Sequence, residues 1–165
     1  MICPTCGHDN LEGLDSCENC QADLRTVDIP RATNPFEARM QAPLSSLRPR
    51  EPVMVAPDTS AGDAIARMRS TAVDCLLVGE GNDLAGIFTE RDAVLKLAGL
   101  PLEGVRVADA MTADPVILRT DDTVAVAIHK MAVGGFRHIP VVDDQGAPRG
   151  IVAAVDLFHH VLALR

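Results

Sequence analysis

Gly86-Ile87-Phe88-Thr89-Glu90-Arg91-Asp92 is answered later in the chain by Gly150-Ile151-Val152-Ala153-Ala154-Val155-Asp156. A shift of 63 positions lays Pro52-Val53 on Pro115-Val116, Ser60 on Thr123, Ala64 on Ala127, Met68 on Met131 and Val78 on Val141. One further residue of slip brings Gly86 onto Gly150. The chain is duplicated, and an internal repeat decides the architecture.

Each copy predicts the same elements. A Pro-Val lead-in such as Pro52-Val53-Met54-Val55 is followed by a polar turn, Pro57-Asp58-Thr59-Ser60, and then a helix. Residues 61–70, with Ala64, Ile65 and Met68, and residues 123–133, with Val124, Ala127, Ile128 and Met131, both carry one apolar stripe at helical spacing. Two strands come next: residues 75–78 and 84–88 in the first copy, 139–142 and 150–152 in the second, parted by turn-forming residues. Closing helices are expected over residues 90–98 and 155–164. The fold class is α+β, two β-α-β-β-α modules in tandem.

These modules, the Gly-Ile-Phe-Thr-Glu-Arg-Asp ending and the run Phe136-Arg137-His138-Ile139-Pro140-Val141-Val142-Asp143 resemble paired CBS domains over residues 47–165. The resemblance implies a regulatory unit in which two copies, residues 47–108 and 109–165, pack pseudo-symmetrically. It also implies clefts between them that bind AMP, ADP, ATP, S-adenosylmethionine or related adenosyl ligands without chemistry on the ligand, and assembly as a homodimer.

The residues themselves allow two readings of the first ending. The Asp92 carboxylate can accept hydrogen bonds from both ribose hydroxyls, and Thr89, at a strand-to-helix junction, would bring its hydroxyl and free helix amides to a phosphate. Thr89 and Asp92 equally spell an approximate capping box, an interaction of about 1 kcal/mol.

In similar tandem pairs, the ending of one copy forms a site with the lead-in strand and the Arg-His-Ile-Pro run of the other. The Asp92 cleft would then gather Thr89, Thr112, Pro115, Val116, Arg137, His138 and Pro140. Arg137 would supply permanent charge to a phosphate, and His138 a contribution that fades above neutral pH. The opposite cleft would use Asp156, but Ala153 replaces the hydroxyl, Pro49 falls at the Thr112 position and Asp74-Cys75 fall where Arg137-His138 sit. A carboxylate there repels phosphate. One working site and one weak or empty site are expected.

Cys3-Pro4-Thr5-Cys6 and Cys17-Glu18-Asn19-Cys20 form two Cys-x-x-Cys pairs ten residues apart, the ligand spacing of tetrahedral zinc. Four thiolates leave no open position, so Zn2+ at Cys3, Cys6, Cys17 and Cys20 would be structural, replacing a core that so short a segment cannot build. Disulfides or a rubredoxin-like iron site are the alternatives, and His8 could compete as a ligand. Residues 1–24 resemble the short zinc ribbons that commonly contact protein or nucleic acid. Residues 25–46, with Pro30, Pro35 and Pro43, read as a linker in which residues 36–40 could form a short docking helix.

The 165 residues are 47% hydrophobic with a net charge of −8. No apolar run reaches the roughly 20 residues needed to span a membrane, and the start lacks an export signal, which points to the cytoplasm. The acidic balance disfavours a general nucleic-acid surface, and the ribbon has no clustered basic residues. No catalytic fingerprint appears, so no enzyme activity is expected. Gly134-Gly135 is not a phosphate loop, His159 and His160 diverge around their helix, and Cys75 reads as a packed core thiol beside Asp74. The function read from the sequence is adenine-nucleotide sensing. The alternative is an interaction adaptor with vestigial clefts.

Overall fold

The computed structural model describes residues 2–11, 14–25, 32 and 34–162. The chain divides into two units, residues 1–35 and 36–165.

In the first unit, two knuckles repeat the same geometry. The Cys3 amide donates to His8 O at 2.9 Å and the Gly7 amide to Cys3 O at 2.9 Å; the Cys17 amide donates to Ala22 O at 2.8 Å and the Gln21 amide to Cys17 O at 2.9 Å. Both turns close through a left-handed residue, Gly7 at φ 72° and Gln21 at φ 60°. Among the described residues here, the buried apolar ones are Cys3, Cys17 and Leu24, so the sulfur cluster takes the place of a hydrocarbon core.

α1 (Pro35–Met40) starts at the last residue of the first unit, and a short 3-10 turn, Leu44–Leu47, follows in the second. The first repeat then runs β1 (Met54–Val55), α2 (Ala61–Thr71), β2 (Cys75–Glu80), β3 (Asp83–Thr89) and α3 (Glu90–Leu97). After a connecting α4 (Val107–Ala110) and β4 (Thr112–Ala113), the second repeat runs β5 (Leu118–Arg119), α5 (Val124–Gly134), β6 (His138–Val142), β7 (Pro148–Ala153) and α6 (Ala154–Val161). The helix expected over 155–164 starts one residue earlier, and its last two residues fall outside the described ones. Ser60 and Thr123 cap α2 and α5 by accepting from the Asp63 and Val126 amides. Each helix turns the expected stripe inward: Ala61, Ala64 and Met68 in α2, Val124, Ala127 and Met131 in α5.

The sheets are ordered β1-β2-β3-β4 and β5-β6-β7. β1 runs parallel to β2 and β5 parallel to β6, while β2-β3 and β6-β7 are antiparallel hairpins. The α+β class and tandem arrangement are therefore as expected.

The repeats exchange their lead-ins. The Val124 amide donates to Ala42 O at 3.0 Å, and in the equivalent contact the Ala61 amide donates to Val105 O at 2.7 Å, the donor 63 residues earlier and the acceptor 63 later. Likewise Leu44 N–H reaches Asp122 O and Val107 N–H reaches Thr59 O, each at 2.8 Å. Leu44 is fully buried among Leu118, Val124, Ala127 and Val152, and Val107 among Ala61, Ala64, Leu76 and Phe88. Residues 36–46, expected as linker, are thus structured: Leu44 fills the second repeat's core, and α1 lies on α6, where Arg39 Nη1 donates to Val161 O at 3.3 Å. Residues 26–31 and 33 of that expected linker lie outside the described ones.

The exchange explains the glycine that opens each motif. A Cβ on Gly86 would collide with the Met111 sulfur and come within 2.9 Å of Thr112 O, where β4 crosses β3. On Gly150 it would meet Pro49 Cβ at 2.5 Å and Arg50 O at 3.2 Å, where Arg50 pairs with Ile151. Side chains there would push the exchanged segments away.

Candidate functional site

A cleft of about 690 Å³ opens between the two repeats. β3 and the start of α3 supply Thr89, Asp92 and Lys96; the second lead-in supplies Thr112, Pro115 and Val116; the end of α5 and start of β6 supply Phe136, Arg137 and His138. Seven of the eight residues expected to share a cleft therefore do so. The eighth, Pro140, is fully buried in β6 opposite Ile151 and does not line it. Its role is in the sheet.

Asp92 is 8% exposed and heavily engaged. Its carboxylate accepts from the Thr89 amide at 3.0 Å, the Thr89 hydroxyl at 2.6 Å and the Lys96 ammonium at 2.7 Å, with the Thr112 hydroxyl at 3.5 Å. Burial works against the charge, but Lys96 and then Thr89 outweigh it and hold the carboxyl below its ordinary value. Lys96, which the sequence reading missed, was signalled by its place one turn after Asp92. It also donates to Ala110 O at 2.7 Å and Met111 O at 3.2 Å, which ties α3 to α4 and the residue after it. The capping box is complete.

The helix start offers less to an anion than the sequence implied. The Glu90 amide donates to Asp74 O at 3.1 Å, and the Asp92 amide to the Thr89 hydroxyl at 3.3 Å. Arg91 Nη1 is held by Gly135 O at 3.1 Å. Arg137 is different: it is exposed on the cleft wall, and its guanidinium has no hydrogen-bond or ion-pair partner among the described residues.

His138 and Asp74 correct the expected allocation. Asp74 is the counterpart of Arg137 in the other repeat, as Cys75 is of His138, yet it lies in the same cleft, with His138 Nε2 3.0 Å from Asp74 Oδ2. The two residues meet because the starts of the two hairpins face each other across the cleft. Burial opposes the Asp74 charge, but His138 and Arg50 hold its carboxyl below the usual range. Beneath it, burial and then the Asp74 charge push the Cys75 thiol up to about 12, which makes it a poor nucleophile.

The second carboxylate, Asp156, accepts from the Ala153 amide at 2.9 Å and from the Arg50 guanidinium at 2.9 Å. Ala153 has no hydroxyl, so only half of the Thr89–Asp92 arrangement is repeated. Arg50 sits across this carboxylate and reaches within 4.0 Å of Asp74. Nothing local to Asp156 signals Arg50, which lies 106 residues earlier and arrives on the exchanged lead-in.

In the first unit, the sulfurs of Cys3, Cys6, Cys17 and Cys20 all lie within 4.8 Å of one another, with Cys3–Cys20 at 3.7 Å and Cys6–Cys17 at 3.6 Å. A tetrahedron with Zn–S of about 2.3 Å has edges of about 3.8 Å, so the four residues fit a metal ion. Burial opposes the Cys17 thiolate, but the Cys20 and Asn19 amides and nearby sulfurs bring it down to about 6. All five cysteines are free thiols, and His8 is exposed and outside the cluster.

A family model described as CBS domain matches residues 44–99 and 107–163. The chain belongs to the CBS-domain family. The CBS domain-containing protein CBSCBSPB3 of Arabidopsis thaliana is 28% identical over 113 residues, 67% of this chain and 20% of that protein, so the chain spans a fifth of this relative's length. Among solved structures, a putative signal-transduction protein with CBS domains from Burkholderia ambifaria has a TM-score of 0.69 at 28% identity, over 74% of this chain and 95% of that one. A CBS domain protein of Pyrobaculum aerophilum complexed with AMP has a TM-score of 0.66 at 24% identity, over 74% and 98%. A CBS pair complexed with 5′-methylthioadenosine and S-adenosyl-L-methionine has a TM-score of 0.64 at 22% identity, over 72% and 98%. At those two identities the likeness is one of fold. No helix among the described residues is long and apolar enough to cross a membrane.

Proposed function

We propose that this CBS pair is a regulatory sensor whose Asp92 cleft takes a phosphorylated adenosyl ligand, AMP, ADP or ATP, while the four-cysteine unit holds a structural zinc ion and contacts a protein partner. The observation that carries the reading is the cleft itself. It gathers Thr89, Asp92, Thr112, Pro115, Val116, Arg137 and His138 around a volume in the range of small-molecule sites, with Arg137 unpaired on its wall. Asp92 and the Thr112 hydroxyl face a ribose, and the Arg137 fork suits phosphate oxygens. The fold neighbours with AMP and with S-adenosylmethionine support an adenosyl ligand; the unpaired Arg137 favours the phosphorylated ones. Asp156, covered by Arg50, is the weak second site. Binding biases the pair toward one of two states only by differential affinity. A homodimer through exposed apolar positions of α3 and α6, such as Leu95 and Phe158, completes the reading, and its place is the cytoplasm.

The second reading is the adaptor with vestigial clefts, favoured by how fully Thr89 and Lys96 already occupy Asp92. Equilibrium dialysis with AMP and adenosine distinguishes the two. Arg137→Ala should weaken AMP about tenfold, a loss of about 1.4 kcal/mol, and leave adenosine unchanged. Absence of binding by either compound to the unaltered chain would favour the adaptor.

A further inference from the structure

Asp74, just before β2, and Cys75, its first residue, meet His138, at the start of β6, where the two repeats face each other at the floor of the cleft. One ligand atom of each, a carboxylate oxygen, the Cys75 sulfur and a His138 ring nitrogen, lies within 4.8 Å of the other two. We infer that these three residues form a second metal site, separate from the four-cysteine cluster, that takes zinc or a similar borderline first-row dication.

The donor set selects the ion. One sulfur, one imidazole nitrogen and one carboxylate oxygen suit Zn2+ or Co2+ and do not suit the oxygen-seeking Mg2+ and Ca2+. The charge balances as well: a thiolate and a carboxylate neutralise a dication, and Arg50, 4.0 Å from Asp74, is directed to Asp156 at 2.9 Å.

Burial grades across the cluster. Cys75 is 3% exposed and lies under the floor, whereas Asp74 and His138 line the cleft. Three protein donors on the floor leave a fourth position on the cleft side, the arrangement of an open site. The ion would bond two strands of different repeats, Asp74 and Cys75 from one and His138 from the other, and so link the repeats directly. It would also draw His138 away from any phosphate, leaving Arg137 as the cationic recognition group. Cys75, which the proposed sensing role leaves unused, acquires a purpose.

The test is metal content of the full chain after equilibrium dialysis against zinc, measured by plasma mass spectrometry on the unaltered protein, Cys75→Ala and His138→Ala. Each variant should hold about one zinc fewer per chain than the unaltered protein, whatever the four-cysteine cluster binds. His159→Ala, which removes an exposed histidine, should lose none. Zinc should also raise the melting temperature of the second unit in the unaltered chain and not in His138→Ala. If Cys75→Ala fails to fold, His138→Gln provides the second comparison. Equal zinc content in the unaltered chain and the folded variants would overturn the site, as would a deficit shared by His159→Ala.

Discussion

Asp92 carries two roles at once, because the carboxylate that faces the cleft is also the one that closes the α3 cap and anchors Lys96. Removing Lys96 leaves a largely buried charge with fewer donors. Lys96→Met should cost roughly 1–2 kcal/mol, discounted for the partial exposure of the ammonium, and lower the urea midpoint. Asp92 and Asp74 both have carboxyls depressed in the folded state. Such groups add stability above the unfolded carboxylate value of about 3.9 and lose it as pH falls through the folded value. Urea unfolding should therefore give a midpoint that declines below about pH 4. That decline should be shallower in Asp92→Asn, and an unchanged slope would mean that the pairing in the cleft does not affect stability. At this scale, the Thr89–Asp92 pair was legible because the three-residue spacing of a helix cap brings the two side chains together. His138 with Asp74 was not, because their contact depends on how the repeats face each other.

At the scale of elements, the repeated helices and hairpins were legible from apolar period and turn chemistry, and α2, α5 and both hairpins fall within a few residues of their expected bounds. The connecting α4 and the β4 pairing were missed. Their apolar residues, Val107 and Ala110, pack on the preceding repeat, so no local pattern marks them as core. Leu44 hides in the expected linker for the same reason. Leu44→Ala should cost about 2–5 kcal/mol, a core penalty at a position that the sequence reading placed outside any fold. Gly86→Val and Gly150→Val should each destabilise by roughly 1–3 kcal/mol through displacement of the exchanged segment. Calorimetry that finds all three variants within 0.5 kcal/mol of the unaltered chain, about the range of ordinary surface changes, would contradict the exchange.

For the whole molecule, the four-cysteine unit and the CBS pair solve the same difficulty by different means: the pair builds a core from duplicated elements, whereas the first unit has Leu24 and its sulfurs. If zinc supplies the missing stabilisation, chelation should remove amide-exchange protection from the knuckle amides of Cys3, Gly7, Cys17 and Gln21, and restored zinc should bring it back. Protection that survives chelation would count against a metal-dependent fold. The Cys-x-x-Cys spacing made this cluster legible from the sequence alone, since two tight knuckles leave few other ways to place four thiols.

The proposed sensing role requires that one of the two clefts works. With Trp and Tyr absent, intrinsic fluorescence reports little, so the decisive measurement is isothermal titration calorimetry of zinc-loaded protein with AMP, ATP and S-adenosylmethionine. AMP or ATP should bind at about one site per chain, tighter than S-adenosylmethionine, and Asp92→Ala should abolish binding while Asp156→Ala spares it. No heat from any of the three, with an unchanged melting temperature, or two equivalent sites per chain, would contradict it.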